Sequence, residues 1–241
     1  MTDNGQTWKQ AAILAVRRMS AVTLAGALLG LLVGGVGGRL AMSLLANLNP
    51  EVSGTLSDDG FEMGRVTMSG TLNLFSVGTF LGIFGAVIYM LLRHLRIGPA
   101  WFRYLSVSTG AGVTVGSMLV HDGVDFTLLH PVGLAIALFV AIPSLYALLL
   151  QLLAERWLKP ESAFMTTSNK AVFIPALVWI PLAPLFLAAG LIWAMAEFWR
   201  REDSPGMTRL RPILPWLGRL VLSGIFTAAS IDLIDDIAKF A

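Results

Sequence analysis

No cysteine occurs among the 241 residues, which excludes disulfide cross-links, thiol catalysis and cysteine-ligated zinc. Charge is scarce as well: 13% of residues are Asp, Glu, Lys or Arg, against about 25% in an ordinary soluble domain. Walker A, Rossmann, GxSxG and HExxH patterns are all missing, so phosphate-loop, dinucleotide and familiar hydrolase chemistries have no footing. What the chain does contain is apolar: 56% hydrophobic residues and a mean hydropathy of +0.73. That much apolar surface with so little charge cannot be wrapped into a water-soluble globule. The composition specifies a polytopic membrane protein whose first partner is the lipid bilayer. A pI near 9.2 does not argue for nucleic acid, because the basic residues are scattered between apolar segments, where they set orientation.

A helix crosses the hydrocarbon core with about 20 apolar residues. Six segments meet or approach that length: 20–46, 69–92, 103–120, 131–153, 171–198 and 213–231. The expectation is an all-α fold, a single transmembrane domain over 1–241 built as a bundle of about six helices. Pro175, Pro181 and Pro184 predict a kink or break in the fifth segment. The sixth contains Arg219 and runs into the polar "IDLIDDIAKF". Lys9, Arg17 and Arg18 precede an apolar run much longer than the core of a signal peptide, so that run reads as a retained first span.

With the N-terminus in the cytoplasm, ten of the 17 Lys and Arg residues fall inside, five outside, and two, Arg39 and Arg219, within spans. This arrangement places both termini inside. The segment 199–212, with Arg200, Arg201, Arg209 and Arg211, breaks the rule on the outer side. Either orientation is fixed upstream of it, or 171–198 does not cross simply.

Gly26, Gly30, Gly34 and Gly38 recur every four residues and line one side of the first helix. Small residues at this spacing let helix backbones approach closely in lipid. Gly78, Gly82 and Ala86 repeat the register in the second span, Ser108, Gly112 and Gly116 in the third, and Gly133, Ala137 and Ala141 in the fourth. The stripe serves packing within the chain or a seam between copies.

Arg39 lies eight residues before Asn47, about 12 Å along a helix axis and within snorkelling reach of the outer interface. Its cost in a span calls for a partner. The acids of "SGTLSDDGFEMGRVT", residues 53–67, stand nearest in sequence. Asp59-Gly60 suits a type I′ turn, predicting a short outer β-hairpin in which Asp58 faces Phe61 and Leu56 faces Met63. Arg39, Asp58, Asp59, Glu62, Arg65 and Asn73 then form a candidate outer polar binding cluster. Asn73 is equally suited to interhelical hydrogen bonding. The next outer loop, "HDGVDFTLLHP", carries His121, Asp122, Asp125 and His130, donors suited to zinc or a related divalent metal, although their spacing matches no established zinc motif. No carboxylate lies near mid-membrane in the first five segments, as a proton- or sodium-coupled transporter would need.

With "GGRLAM" at 37–42, "DDGFEMGR" at 58–65, "GTLNL" at 70–74 and "GVDFTLLHP" at 123–131, the chain resembles a group of uncharacterised bacterial polytopic integral membrane proteins over about its first 160 residues. The resemblance implies the bacterial inner membrane and no particular chemistry. The functional expectation is a small-solute or ion binding, permeation or transport component with an outward-facing polar site. The alternative is a non-catalytic scaffold or assembly subunit, as a homo-oligomer or in a membrane complex. An intramembrane enzyme built on the His/Asp loop ranks behind both.

Overall fold

The computed structural model describes residues 8–58, 60–120, 127–182 and 213–240. Helix α1 (Trp8–Leu29) continues through a π-helical segment (Gly30–Gly37) into α2 (Gly38–Leu48). A loop leads to α3 (Met68–Leu92), followed by α4 (Ala100–Leu119) and α5 (Val132–Trp157). A short α6 (Ala163–Thr166) and a 3-10 helix (Lys170–Leu182) come next, and α7 (Ile213–Phe240) is the last helix. Local chemistry sets several boundaries. The Thr67 hydroxyl oxygen accepts the Gly70 N–H at 3.1 Å and caps α3. Gly98, at φ +85°, and Pro99 turn the chain between α3 and α4.

Among the described residues, four helical stretches are long and apolar enough to cross a membrane: Lys9–Leu48, Met68–Leu92, Val132–Trp157 and Pro215–Lys239. The expected six spans are therefore not supported. The segment expected at 103–120 does form a 20-residue helix, but Arg103, Tyr104 and a run of Ser, Thr and Gly dilute its apolar character. Of the segment expected at 171–198, Lys170–Leu182 is a 13-residue 3-10 helix interrupted by Pro175 and Pro181, each lacking a backbone donor. The remainder lies outside the described residues.

Glycines hold the first two long elements together. A Cβ on Gly26 would fall against the Gly82 carbonyl and 2.6 Å from the Ala86 methyl; one on Gly78 would lie 2.7 Å from the Gly35 nitrogen. The stripe is not uniform. Gly34 would meet Gly78 Cα at 3.3 Å, and Gly38 meets only the Leu74 side chain, at ordinary contact distance. The π-helical segment sits within this contact, and four of its eight residues are glycine, so the widened turn carries little side-chain bulk against α3. Helices α4 and α5 form a second pair. The Ser108 hydroxyl donates to the Ser144 carbonyl at 2.7 Å, and Gly116 accommodates Val140. The expected register in the fourth span does no such work: Ala137 and Ala141 are exposed, and nothing surrounds the position of a Gly133 Cβ.

The loop between α2 and α3 forms no β-strand among the described residues, which corrects the expected hairpin. One antiparallel bridge, Leu56 with Glu62, is present. The Gly60 N–H donates to the Ser57 carbonyl at 2.9 Å, and the Ser57 N–H to the Phe61 carbonyl at 2.8 Å. Gly60 takes φ +76°. Three residues, 58–60, therefore link the pair, with glycine in the left-handed position, where a two-residue turn was expected. One extra loop residue shifts the register by one and turns neighbouring side chains to opposite faces. Met63 packs into the core beneath, whereas Leu56 stays exposed.

Helix α7 also departs from expectation. The Arg219 Nε near its start donates to the Leu95 carbonyl at 3.1 Å, at the α3–α4 turn. Leu233, near its other end, packs with Leu45, Val52, Val120 and Leu129, at the far end of the bundle. Helix α7 thus runs parallel to α4, and its C-terminal end lies beside the loop at 49–67. Within one bundle the two described ends of the chain face opposite ways.

Candidate functional site

Polar side chains gather at both ends of the bundle, and the two ends are built differently. At the end carrying the 49–67 loop, Arg39 is half-buried near the start of α2. Its Nη2 reaches the Arg65 carbonyl at a long 3.4 Å, and its Nε is buried without a hydrogen-bond partner. Of the acids expected to pair with Arg39 (Asp58, Asp59 or Glu62), Glu62 is instead held by Arg65 at 2.7 Å, three residues along the chain. Asp58 and Asn73 are exposed, and Asp59 lies outside the described residues. So do His121, Asp122 and Asp125. His130 is exposed, and among the described residues no group of three or more His, Asp or Glu side chains is placed to hold a metal ion.

The organising residue at this end is one that sequence reasoning passed over. Asn49 is almost fully buried. Its Nδ2 donates to the Leu45 and His130 carbonyls at 2.8 Å each, and its Oδ1 accepts the His130 N–H at 2.7 Å. One amide thereby fastens the start of the 49–67 loop to the chain entering α5. Its only local signal is an asparagine before proline at a helix end.

The opposite end is more tightly built. Glu155 on α5 accepts the Tyr89 hydroxyl at 2.6 Å, two bonds from Arg93 at 2.9 and 2.8 Å, and one from Arg96 at 2.5 Å. The Arg93 pair is the bidentate fork that guanidinium geometry favours. The Arg93 guanidinium, outside the apolar span of α3, is held above its ordinary pKa by the hydrogen bond to Glu155, so its charge is fixed. Arg96 also lies over the Tyr89 ring. Beneath it Gln151, wholly buried, donates to the Tyr104 and Ala147 carbonyls at 3.2 Å. Gln151 and Glu155 are four residues apart and so share one face of α5. That spacing of two polar residues near the end of an apolar run was the available signal, and a reading of Arg93 and Arg96 as orientation charges left it unused.

Above this cluster opens a cleft of about 680 Å³ between the α3–α4 turn, the start of α4 and the end of α5. Among the described residues four cations line it, Arg93, Arg96, Arg103 and Lys159, together with His94 and one carboxylate, Glu155. Arg93 and Arg96 are committed to Glu155. Arg17 and Arg219 are committed too: Arg17 donates to the Phe164, Met165 and Thr167 carbonyls, and Arg219 donates to the Leu95 carbonyl and stands over Trp216. Among the described residues, the charged ends of Arg103 and Lys159 have no ion pair or hydrogen bond. Helix α4 begins at this cleft, with Ala100 in its wall and no side chain capping its first turn. Its first backbone bond runs from the Arg103 N–H to the Pro99 carbonyl at 3.1 Å, so the preceding N–H groups have no partner within the helix. Cations in excess and an uncapped helix start both favour an anion.

Comparison with protein-family models, with curated proteins and with solved structures found no match to the chain.

Proposed function

We propose that this chain is a multi-pass protein of the bacterial inner membrane, with its N-terminus in the cytoplasm, and that it binds an anionic ligand in the basic cleft at its cytoplasmic end. The observation carrying this reading is that Arg103 and Lys159 face the same cleft as a neutralised Glu155 and an uncapped helix start. Binding moves from the outer cluster built on Arg39, expected from sequence, to the opposite end. The bacterial assignment rests on the resemblance of the "GGRLAM" and "DDGFEMGR" segments.

A second reading, as a scaffold or assembly subunit that pairs with a copy of itself or another membrane protein, is favoured by α7. That helix packs mainly on α4 and leaves Leu217, Leu220, Val221, Ile225 and Phe226 exposed.

The orientation of α7 supports this sidedness. Arg200, Arg201, Arg209 and Arg211 lie outside the described residues but precede Ile213 in the chain, and a cytoplasmic start of α7 assigns them to the inner count. Only Arg65 and Lys239 are then left outside among the basic residues not placed in spans. In this cysteine-free chain, single cysteines at Ser57 and Ala238 are expected to react with an impermeant reagent in intact cells. A cysteine at Ser168 should react only after lysis. Protection of Ala238→Cys in intact cells would restore two cytoplasmic termini and overturn the direction of α7.

Anion binding is tested on purified protein in neutral detergent. At constant ionic strength, exchanging chloride for inorganic phosphate should raise the melting temperature of the wild type. An Arg103→Ala/Lys159→Ala double variant should show no such rise. At one hundred times Kd a bound anion contributes about 2.7 kcal/mol, enough to read as several degrees. Equal phosphate response in the two proteins would remove the cleft as the binding site.

A further inference from the structure

We infer that the anion held in the basic cleft is the phosphodiester head group of a phospholipid from the adjacent leaflet, its acyl chains remaining in the bilayer. The inference rests on the anion-binding reading and adds the source of the anion.

Depth is the first argument. The cleft lies where two membrane-length apolar helices, α3 and α5, end and α4 begins, and Trp101, Trp157 and Trp216 stand around that level. Tryptophan concentrates where hydrocarbon meets head groups. A ligand at that height meets phosphates before it meets bulk water.

The cleft's surroundings are the second. Beside Ala100 in its wall, the outward surface carries exposed Ile97, Trp101, Phe102 and Leu105. A free aqueous anion gains nothing from an apolar margin, whereas acyl chains leaving a bound head group would lie along it. Basic pockets between helices on the cytoplasmic side are suited to acidic head groups.

Closure is the third. A solute to be carried through the protein needs a path below its binding site. Here Arg96, Tyr104 and Glu155 line the cleft, and behind Arg96 and Tyr104, Gln151 is wholly buried and bonded to the Tyr104 and Ala147 carbonyls. Deeper along the same helix pair, Gly112 and Gly116 lie against Ser144 and Val140. The cleft is built to hold a group at the surface. Arg103 offers a planar fork to the non-ester oxygens, Lys159 a point charge, and the start of α4 free N–H groups.

The test uses the full chain in detergent micelles containing equal amounts of phosphatidylglycerol and phosphatidylcholine, with bound lipids counted by native mass spectrometry. Wild type should retain phosphatidylglycerol over phosphatidylcholine by about tenfold or more, a preference lost on removing two cations. Arg103→Ala/Lys159→Ala should lose it. Lys159→Glu, a single exposed substitution, should lose most of it. Arg156→Ala, a basic residue at the same end outside the cleft, should keep it. Phosphate stabilisation of the wild type without lipid preference overturns the lipid inference and leaves the anion-binding reading standing. Absence of both effects overturns the two together. Loss of preference in Arg156→Ala equal to that in Lys159→Glu also overturns it, since diffuse surface charge would then suffice.

Discussion

Gly82→Ala is expected to be among the most damaging single-methyl additions to this chain, lowering stability by about 3 kcal/mol or more. The added Cβ would fall against the Gly26 carbonyl oxygen and 2.6 Å from Gly30 Cα. Both are backbone atoms of the facing helix, so no side chain can rotate away and the helices must part. In lipid nothing pulls them back, because the hydrocarbon around them is as apolar as their own side chains. Separation at Gly82 also loosens the contacts of Gly26, Gly30 and Gly78. Gly34→Ala should cost much less, since its Cβ would meet Gly78 Cα at 3.3 Å. Gly133→Ala and Gly224→Ala have nothing within 4 Å and should be neutral, or stabilising by about 0.5–1 kcal/mol through reduced backbone entropy in the unfolded chain. Melting temperatures of the purified variants rank the series. Equal midpoints for Gly82→Ala and Gly133→Ala would show that α3 does not pack on this face.

Glu155→Gln should act in two directions at once. Its two oxygens accept four hydrogen bonds from Tyr89, Arg93 and Arg96, and glutamine can neither balance two guanidinium charges nor accept from all of them. Breaking a fully buried pair costs about 3–5 kcal/mol. The side chains of Glu155 and Arg93 keep 25% and 30% of their exposure, and Arg96 10%. Water can reach part of the cluster, and the expected loss falls to about 1–3 kcal/mol. Anion affinity should move the other way, because the cleft loses the one carboxylate that lines it among the described residues and gains positive field. Phosphate should therefore stabilise Glu155→Gln more than it stabilises the wild type, the bound anion taking over the vacated acceptor sites. A variant less stable than wild type but no more responsive to phosphate would place Glu155 outside the electrostatics of the cleft. An unchanged melting temperature would mean that the pairs contribute nothing beyond exposed surface bridges.

The residues legible in advance were those whose behaviour depends on sequence neighbours alone. The apolar runs at 20–46, 69–92 and 131–153 read directly as long helices. The recurrence of Gly26 and Gly30 marked a side on which something must approach closely. The loop at 53–67 read as a β-hairpin, whose strands the described residues do not form, and the error is instructive. Asp59-Gly60 supports a two-residue or a three-residue connection equally well, and the difference of one residue decides which side chains reach the core. The expected pairing of Arg39 with Asp58, Asp59 or Glu62 neglected Arg65, which lies three residues from Glu62 and holds that carboxylate.

Composition and periodicity by themselves determined the long apolar helices, their helicity and the side of the first helix that carries glycine. These follow from hydrophobic transfer and from the 3.6-residue turn, both local properties of the chain. Tertiary structure alone decided which glycines meet backbone and which meet space, the direction of α7, and the meeting of Glu155 with Arg93 and Arg96. Each of those depends on which helix lies beside which, across long sequence separations such as the 124 residues between Arg219 and Leu95. The basic residues of the cleft divide in the same way: Glu155 holds Arg93 and Arg96, whereas the charged ends of Arg103 and Lys159 have no ion pair or hydrogen bond among the described residues.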